Sequence, residues 1–217
     1  MRRTVRLPAE DLLPYTFPET VRGEQPRPID WRELFGNDRP VEIEVGFGKG
    51  LFLLSTSARN PETNYFGIEI VRKYMYFTAT RLALRKIPNV KVVCGDAKAM
   101  FARQVASGSV AAVHIYFPDP WWKKRHNKRR LFTPEFAGDC GKVLQAGGKL
   151  HLVTDVADYY ARERETMAAL SAFAECEPPA ESKVEHDFDF LTNFERKFRK
   201  EGRPIYRASY VRQGDTP

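Results

Sequence analysis

From Val41 onward, short apolar runs alternate with longer stretches whose apolar residues recur at helical spacing. VEIEV, NYFGIEI, VKVVCGD, AAVHIYF and KLHLVTD read as five strands, the fourth nearly all apolar, as expected when both faces are covered. Between them, LFLLSTSAR and VRKYMYFTATRLALRKI read as helices, the second carrying Tyr74, Phe77, Leu82 and Leu84 at helical spacing, with Pro88 just past its end. TPEFAGDCGKVLQ reads as a helix with Thr133 as N-cap and Pro134 in its first turn, closed by Gly147-Gly148. ADYYARERETMAALSAF is a further helix, ERKFRKEG a late one, and PIYRASYVR a final strand. That strand is expected to pair antiparallel at the sheet edge with a strand around Lys183–Asp187. Strand and helix alternating through short connections predict an α/β fold: a Rossmann-like, doubly wound, mostly parallel sheet with an antiparallel C-terminal edge hairpin. Residues 1–38 are rich in Arg and Pro and lack clear periodicity, which predicts an arm or short irregular elements leading into a single domain over 39–217.

With 217 residues, 42% hydrophobic content and 15 Phe, the chain can build one real core. Cys94, Cys140 and Cys176 are far apart and form no CxxC or Cys/His cluster, so neither a disulfide framework nor a metal site is indicated. No apolar run reaches signal or membrane-span length. The expectation is a protein of a reducing, cytoplasmic compartment with no membrane partner.

Charge changes this picture at one place. FPDPWWKKRHNKRR, residues 117–130, holds Lys123, Lys124, Arg125, Lys128, Arg129 and Arg130, six cations in a chain whose net charge is +7. The basicity is local, and such density of one sign calls for a polyanion, with nucleic acid the obvious one.

Five strand-like segments each end on or near an acid: Glu44, Glu69, Asp96, Asp119 and Asp155. In a doubly wound sheet these positions share the rim where ligands bind. Carboxylates there repel phosphate and favour hydroxyls, amines or positive charge. The turn Gly46-Phe47-Gly48-Lys49-Gly50 follows the first strand, but Leu51 stands where a dinucleotide fingerprint needs glycine. Glu69 lies 23 residues after Gly46, near the offset at which an acid holds ribose hydroxyls. Asp96 suits an adenine amine and Glu44 an ammonium group. A nucleoside with a zwitterionic tail and a sulfonium centre matches this set, and S-adenosylmethionine is such a molecule.

With these elements in hand, the chain resembles the bacterial tRNA (guanine-N7-)-methyltransferase family from about Val41 to Arg212. The carriers are EVGFGKG at 44–50, FGIEI at 66–70, CGDA at 94–97, FPDPWWKKRHNKRR at 117–130, VTD at 153–155 and TNFE at 192–195. Trp122 departs from the family's usual proline. The resemblance implies a class I methyltransferase using S-adenosylmethionine, with Glu44, Gly46, Gly48, Gly50, Glu69, Asp96 and Asp119 on the cofactor side and Asp119 also catalytic. It implies substrate contacts at Lys123, Asp155, Thr192, Asn193, Phe194 and Glu195. It further implies an RNA-binding segment at Lys124, Arg125, His126, Asn127, Lys128, Arg129 and Arg130. The expected partner is tRNA, modified at the variable-loop guanine numbered 46 in tRNA, and the expected state is a monomer or homodimer.

Two other readings remain at this level. Asp119-Pro-Trp-Trp is similar to the motif of amino-group methyltransferases acting on adenine, and a noncatalytic RNA-binding protein could use the same scaffold. Thr192-x-x-Glu195 is also a helix capping box, which would start the following helix whatever the function. That helix carries Arg196, Lys197, Arg199 and Lys200, a second cationic surface.

Overall fold

The computed structural model describes residues 7–18, 26–121, 130–179, 190 and 192–214. Among these, seven strands form one sheet: β1 Val41–Val45, β2 Asn64–Glu69, β3 Val90–Cys94, β4 Val110–Tyr116, β5 Leu144–Thr154, β6 Phe173–Cys176 and β7 Tyr206–Arg212. Their order is β3-β2-β1-β4-β5-β7-β6, with parallel pairing from β3 through β5. β7 runs antiparallel to both β5 and β6. The antiparallel C-terminal hairpin is therefore present, but β7 is its inner strand. The edge is β6, and its first residue, Phe173, stands in a strand where helical spacing predicts the end of the preceding helix. The expected partner around Lys183–Asp187 lies outside the described residues.

Eight helices join these strands: α1 Ala9–Leu12, α2 Trp31–Phe35, α3 Leu51–Arg59, α4 Arg72–Arg85, α5 Ala97–Arg103, α6 Pro134–Val143, α7 Ala157–Ala168 and α8 Asn193–Lys200. Asp30, Asp96, Thr133 and Thr192 cap α2, α5, α6 and α8 through side-chain oxygens that accept the N–H groups of Glu33, Lys98, Phe136 and Glu195. Caps of this kind contribute about 1 kcal/mol each. α6 ends at Val143 and β5 begins at once, with Gly147 taking a φ of 76° inside the strand span. Gly147-Gly148 thus bends a strand and does not close a helix.

Side-chain parity divides the core. Ile43, Val45, Val113, Ile115, Leu150 and Leu152 face α5, α6 and α7, packing with Phe101, Phe136 and Met167. The opposite face lies under α3, α4 and α8 and gathers Phe52, Leu53, Met75, Leu82, Tyr116, Val153 and Phe198. That second face carries a polar seam. His114 Nε2 meets Glu42 Oε2 at 2.8 Å, His114 Nδ1 meets Tyr116 Oη at 2.8 Å, and the Phe52 ring centroid lies 4.6 Å from that of His114. His151, stacked on His114, is pushed down to about 3 by burial and by that neighbour, so it is neutral across the working pH range.

The described part of residues 1–38 is not extended throughout. α1 and the 3-10 turn Leu13–Tyr15 lead to Phe17, whose N–H donates to Val92 O on β3. Leu12 and Ile29 are buried. The segment through Thr16 and Phe17 covers β3, an otherwise exposed sheet edge, while Ile29 N–H donates to Gln104 O just past α5.

Candidate active site

The sheet order reverses direction between β1 and β4, so connections leave these neighbouring strands toward opposite sides and open a crevice at their carboxyl ends. The glycine turn follows β1, and Phe117-Pro-Asp-Pro-Trp121 follows β4. Register places them side by side, because Val45 pairs with Ile115.

Gly46, Gly48 and Gly50 all have positive φ, at 78°, 52° and 66°. Beyond Gly46 and Gly48 an added Cβ would meet nothing within 4 Å, so the backbone there is open to a ligand. Gly50 is different: an added Cβ would strike Thr78 of α4, lying 2.7 Å from its Oγ1. Gly67 on β2 has a related role, since a Cβ there would come 2.7 Å from the Phe47 ring. The absence of a side chain on β2 lets Phe47 anchor the turn onto the sheet. Arg81 of α4 closes the turn's outer side by donating to Lys49 O at 2.7 Å.

Glu69 organises this turn directly. Its Oε2 accepts from Gly48 N–H at 2.8 Å and its Oε1 from Val71 N–H at 2.9 Å. A carboxylate oxygen has a further lone pair, so both remain competent toward ligand hydroxyls. Glu44 is 2% exposed, and its Oε2 has no hydrogen-bond partner among the described residues. Burial, then the charge of Glu69, push its pKa well above the usual carboxylate range. An orphaned buried carboxylate oxygen beside an open glycine turn fits a cationic group. Asp96 is exposed at the start of α5, one oxygen holding Lys98 N–H.

Asp119 is exposed on the adjoining loop. Phe117 and Trp121 flank it with positive φ values of 51° and 45°, an uncommon conformation for large side chains. Arg130 braces the loop: its Nε donates to Pro120 O at 3.0 Å and its Nη2 reaches Trp121 O at 3.5 Å. Lys98 Nζ in turn donates to Arg130 O at 2.8 Å, linking the α5 side to the signature. Lys123, Lys124, Arg125, His126, Asn127, Lys128 and Arg129 lie outside the described residues, as does Trp122.

The last group enters from the chain's end. Phe198 of α8 packs on Phe117 at 5.5 Å between ring centroids, and exposed Phe194 stands 6.3 Å from Phe117. α8 is thereby seated beside the signature loop. Thr192 caps the helix, and Asn193 Oδ1 accepts from Arg196 at 3.3 Å. Glu195 is 2% exposed and turned inward, its Oε1 taking Arg199 Nη2 at 2.8 Å and Arg207 Nη2 at 2.5 Å. Asp155 at the end of β5 is ion-paired with Arg203, whose guanidinium also covers the Phe198 ring at 4.2 Å. Strand parity could not reveal Arg203, Lys98 or Thr78, because each comes from a distant element.

A family model described as "Putative methyltransferase" matches residues 38–208. The tRNA (guanine-N(7)-)-methyltransferase of Rhodopirellula baltica is 47% identical over 191 residues, covering 85% of this chain and 70% of its own. That of Geobacter metallireducens is 39% identical, covering 84% of this chain and 87% of its own.

The chain belongs to the tRNA (guanine-N(7)-)-methyltransferase family.

This methyltransferase also shares its fold with the 16S rRNA methyltransferase KamB, at a TM-score of 0.61 and 14% identity, covering 85% of this chain and 93% of that one. The antibiotic-resistance methyltransferase Kmr aligns at a TM-score of 0.58 and 16% identity, covering 87% and 96%. Likeness at such identity speaks for the class I methyltransferase fold alone. As a family member the protein is an enzyme whose cofactor is S-adenosylmethionine, and the orphaned Glu44 oxygen and open glycine turn suit that molecule.

Proposed function

We propose that this methyltransferase acts on N7 of the variable-loop guanine at position 46 of tRNA. The observation that carries the reading is the buried Glu44 carboxylate, whose Oε2 has no partner among the described residues, beside an open glycine turn and one strand away from Asp119. Relatives named for guanine-N(7) methylation of tRNA, similar over most of their length, favour it over adenine amino-methylation or noncatalytic RNA binding.

S-adenosylmethionine, when bound, supplies a methyl group on a positively charged sulfur. In this reading Glu44 would meet its ammonium group, the open Cα sides of Gly46 and Gly48 would line its passage, Glu69 would hold ribose hydroxyls and Asp96 the adenine amine. Gly50 contributes by letting α4 close on the turn. Guanine N7 carries a lone pair and no proton, so no side chain has to remove one. Asp119 instead fixes the reacting groups in line and offsets the positive charge that develops on the purine. Asp155, whose Oδ2 also holds Arg203, accepts from the guanine N1–H and amine edge, which adenine lacks. Glu195 is engaged with Arg199 and Arg207, so its contribution is to seat α8, while Thr192, Asn193 and Phe194 border the base. Lys123 and the 124–130 cations grip RNA phosphates, which gives salt-dependent affinity and little sequence information.

We take residues 39–217 as one catalytic domain with residues 1–38 as its arm. No helix among the described residues is long and apolar enough to cross a membrane. A tRNA-modifying enzyme works where tRNA is, which points to the cytoplasm, as a monomer or homodimer. The test is transfer of labelled methyl to unfractionated tRNA followed by nucleoside identification. 7-methylguanosine at the variable loop is expected; methylated adenine, or no transfer, would sink the reading.

A further inference from the structure

The loop that carries Asp119 is not held by its own conformational preferences. Phe117 and Trp121, on either side of Asp119, take positive φ values of 51° and 45°, which large side chains adopt only where surrounding groups impose them. The entry to the loop is imposed by β5, since Phe117 N–H donates to Val153 O at 2.7 Å. The carbonyls that follow Asp119 are held by Arg130, through Pro120 O and Trp121 O. Arg130 can do this only while its own main chain stays in place, and its carbonyl accepts from Lys98 Nζ at 2.8 Å.

Lys98 is an odd choice for its position. It stands second in α5, where a cation opposes the helix macrodipole. The helix itself does not call for it: the cap uses the Lys98 N–H, which any residue other than proline supplies to Asp96 Oδ1. The half-buried side chain crosses from α5 to the signature loop, and its ammonium makes a charge-assisted hydrogen bond there, a strong class of such bonds. A residue that breaks a local preference and closes a contact with the reacting loop has its role in that contact. Beyond Arg130 the chain is anchored independently, Phe132 N–H on Tyr159 Oη at 3.3 Å and α6 on its Thr133 cap, so the fold does not depend on Lys98.

We propose that Lys98 is a positioning residue for methyl transfer: through Arg130 it fixes the loop that presents Asp119 to the reacting groups, from the helix whose cap, Asp96, borders the cofactor. This role rests on the reading of Asp119 and Asp96 given above. Where rate comes mainly from alignment, a small displacement of the loop costs turnover and leaves binding of cofactor and RNA in place.

Lys98→Met keeps the stem and the backbone N–H but removes the ammonium, whereas Lys98→Arg keeps a donor and the charge. In single turnover on unfractionated tRNA with saturating S-adenosylmethionine, Lys98→Met should be about tenfold slower, and Lys98→Arg should recover most of the loss. Calorimetric S-adenosylmethionine affinity, filter-binding tRNA affinity and thermal unfolding should stay near those of the parent. Because Lys98 acts through Arg130, Lys98→Met should add little in an Arg130→Lys background, whereas independent contributions would multiply to about a hundredfold. A parent-like rate for Lys98→Met, an equal loss in Lys98→Arg, a multiplied loss in the double variant, or a fall in tRNA affinity in place of rate would each overturn the positioning role alone. A parent protein that leaves tRNA unmethylated overturns the functional reading together with it.

Discussion

Glu163 of α7 offers a sharp test of the packing on the α6–α7 side of the sheet. It is 2% exposed, and neither carboxyl oxygen has a hydrogen-bond partner among the described residues. Burial pushes its pKa from 4.5 up to about 8. The unfolded chain loses this proton near 4.5, whereas the folded chain keeps it to about 8. Between those values the native state binds the extra proton, so this group's contribution to stability falls as pH rises, by about 1.36 kcal/mol per unit. Below the unfolded value the effect vanishes, and above about 8 it levels off. From pH 5 to pH 8.5 the integrated loss is roughly 4 kcal/mol. Glu163→Gln keeps the shape and removes the titration. Denaturant unfolding of both proteins at the two pH values cancels the contributions of all other groups. The variant should gain roughly 4 kcal/mol relative to the parent on going to pH 8.5, on the order of 10 °C in Tm for a chain of this size. Parallel pH dependences for the two proteins would refute the reasoning, since they would mean that Glu163 ionises freely and is hydrated.

Other perturbations probe the site. Gly50→Ala places a Cβ against Thr78 at a φ of 66° and should cost about 2–4 kcal/mol, part of which Thr78→Ala restores in the double variant; unchanged thermal stability of the single variant would contradict the close approach. Glu44→Gln should weaken S-adenosylmethionine at least about tenfold by calorimetry. Because the Glu44 pKa is raised, parent affinity should fall as pH drops through it, and the variant should lose that dependence. Asp119→Asn should slow single-turnover transfer about a hundredfold while keeping the shape of the pH–rate profile; disappearance of a base-type ionisation, with tRNA and cofactor still bound, would make Asp119 a general base. Arg130→Lys retains charge but loses the fork on Pro120 and Trp121, so the rate should fall about tenfold with tRNA affinity nearly unchanged; an affinity loss in place of a rate loss would assign Arg130 to phosphate alone.

Local chemistry was legible in the chain itself. Apolar runs of strand length, the Thr133 and Thr192 caps, and the acids at strand ends follow from short-range rules of backbone geometry and side-chain alternation, and those rules were enough to place the crevice. The signature tract likewise needed no coordinates to suggest a polyanion. What required the tertiary structure was every decision between two locally satisfactory options. PIYRASYVR is a good strand anywhere, but only the assembled sheet inserts it between β5 and β6, with Phe173–Cys176 as the edge. The capping box leaves the direction of the Glu195 carboxylate open, and Arg207 from β7 and Arg199 from α8 draw it inward, because a carboxylate buried there is stabilised by paired cations. Glu44 and Glu69 are alike as strand-end acids. Packing gives one of them two backbone donors and leaves the other with an orphaned oxygen. Pairings between residues far apart in the chain carry no periodic signal, so they become visible only once the fold has brought the elements together.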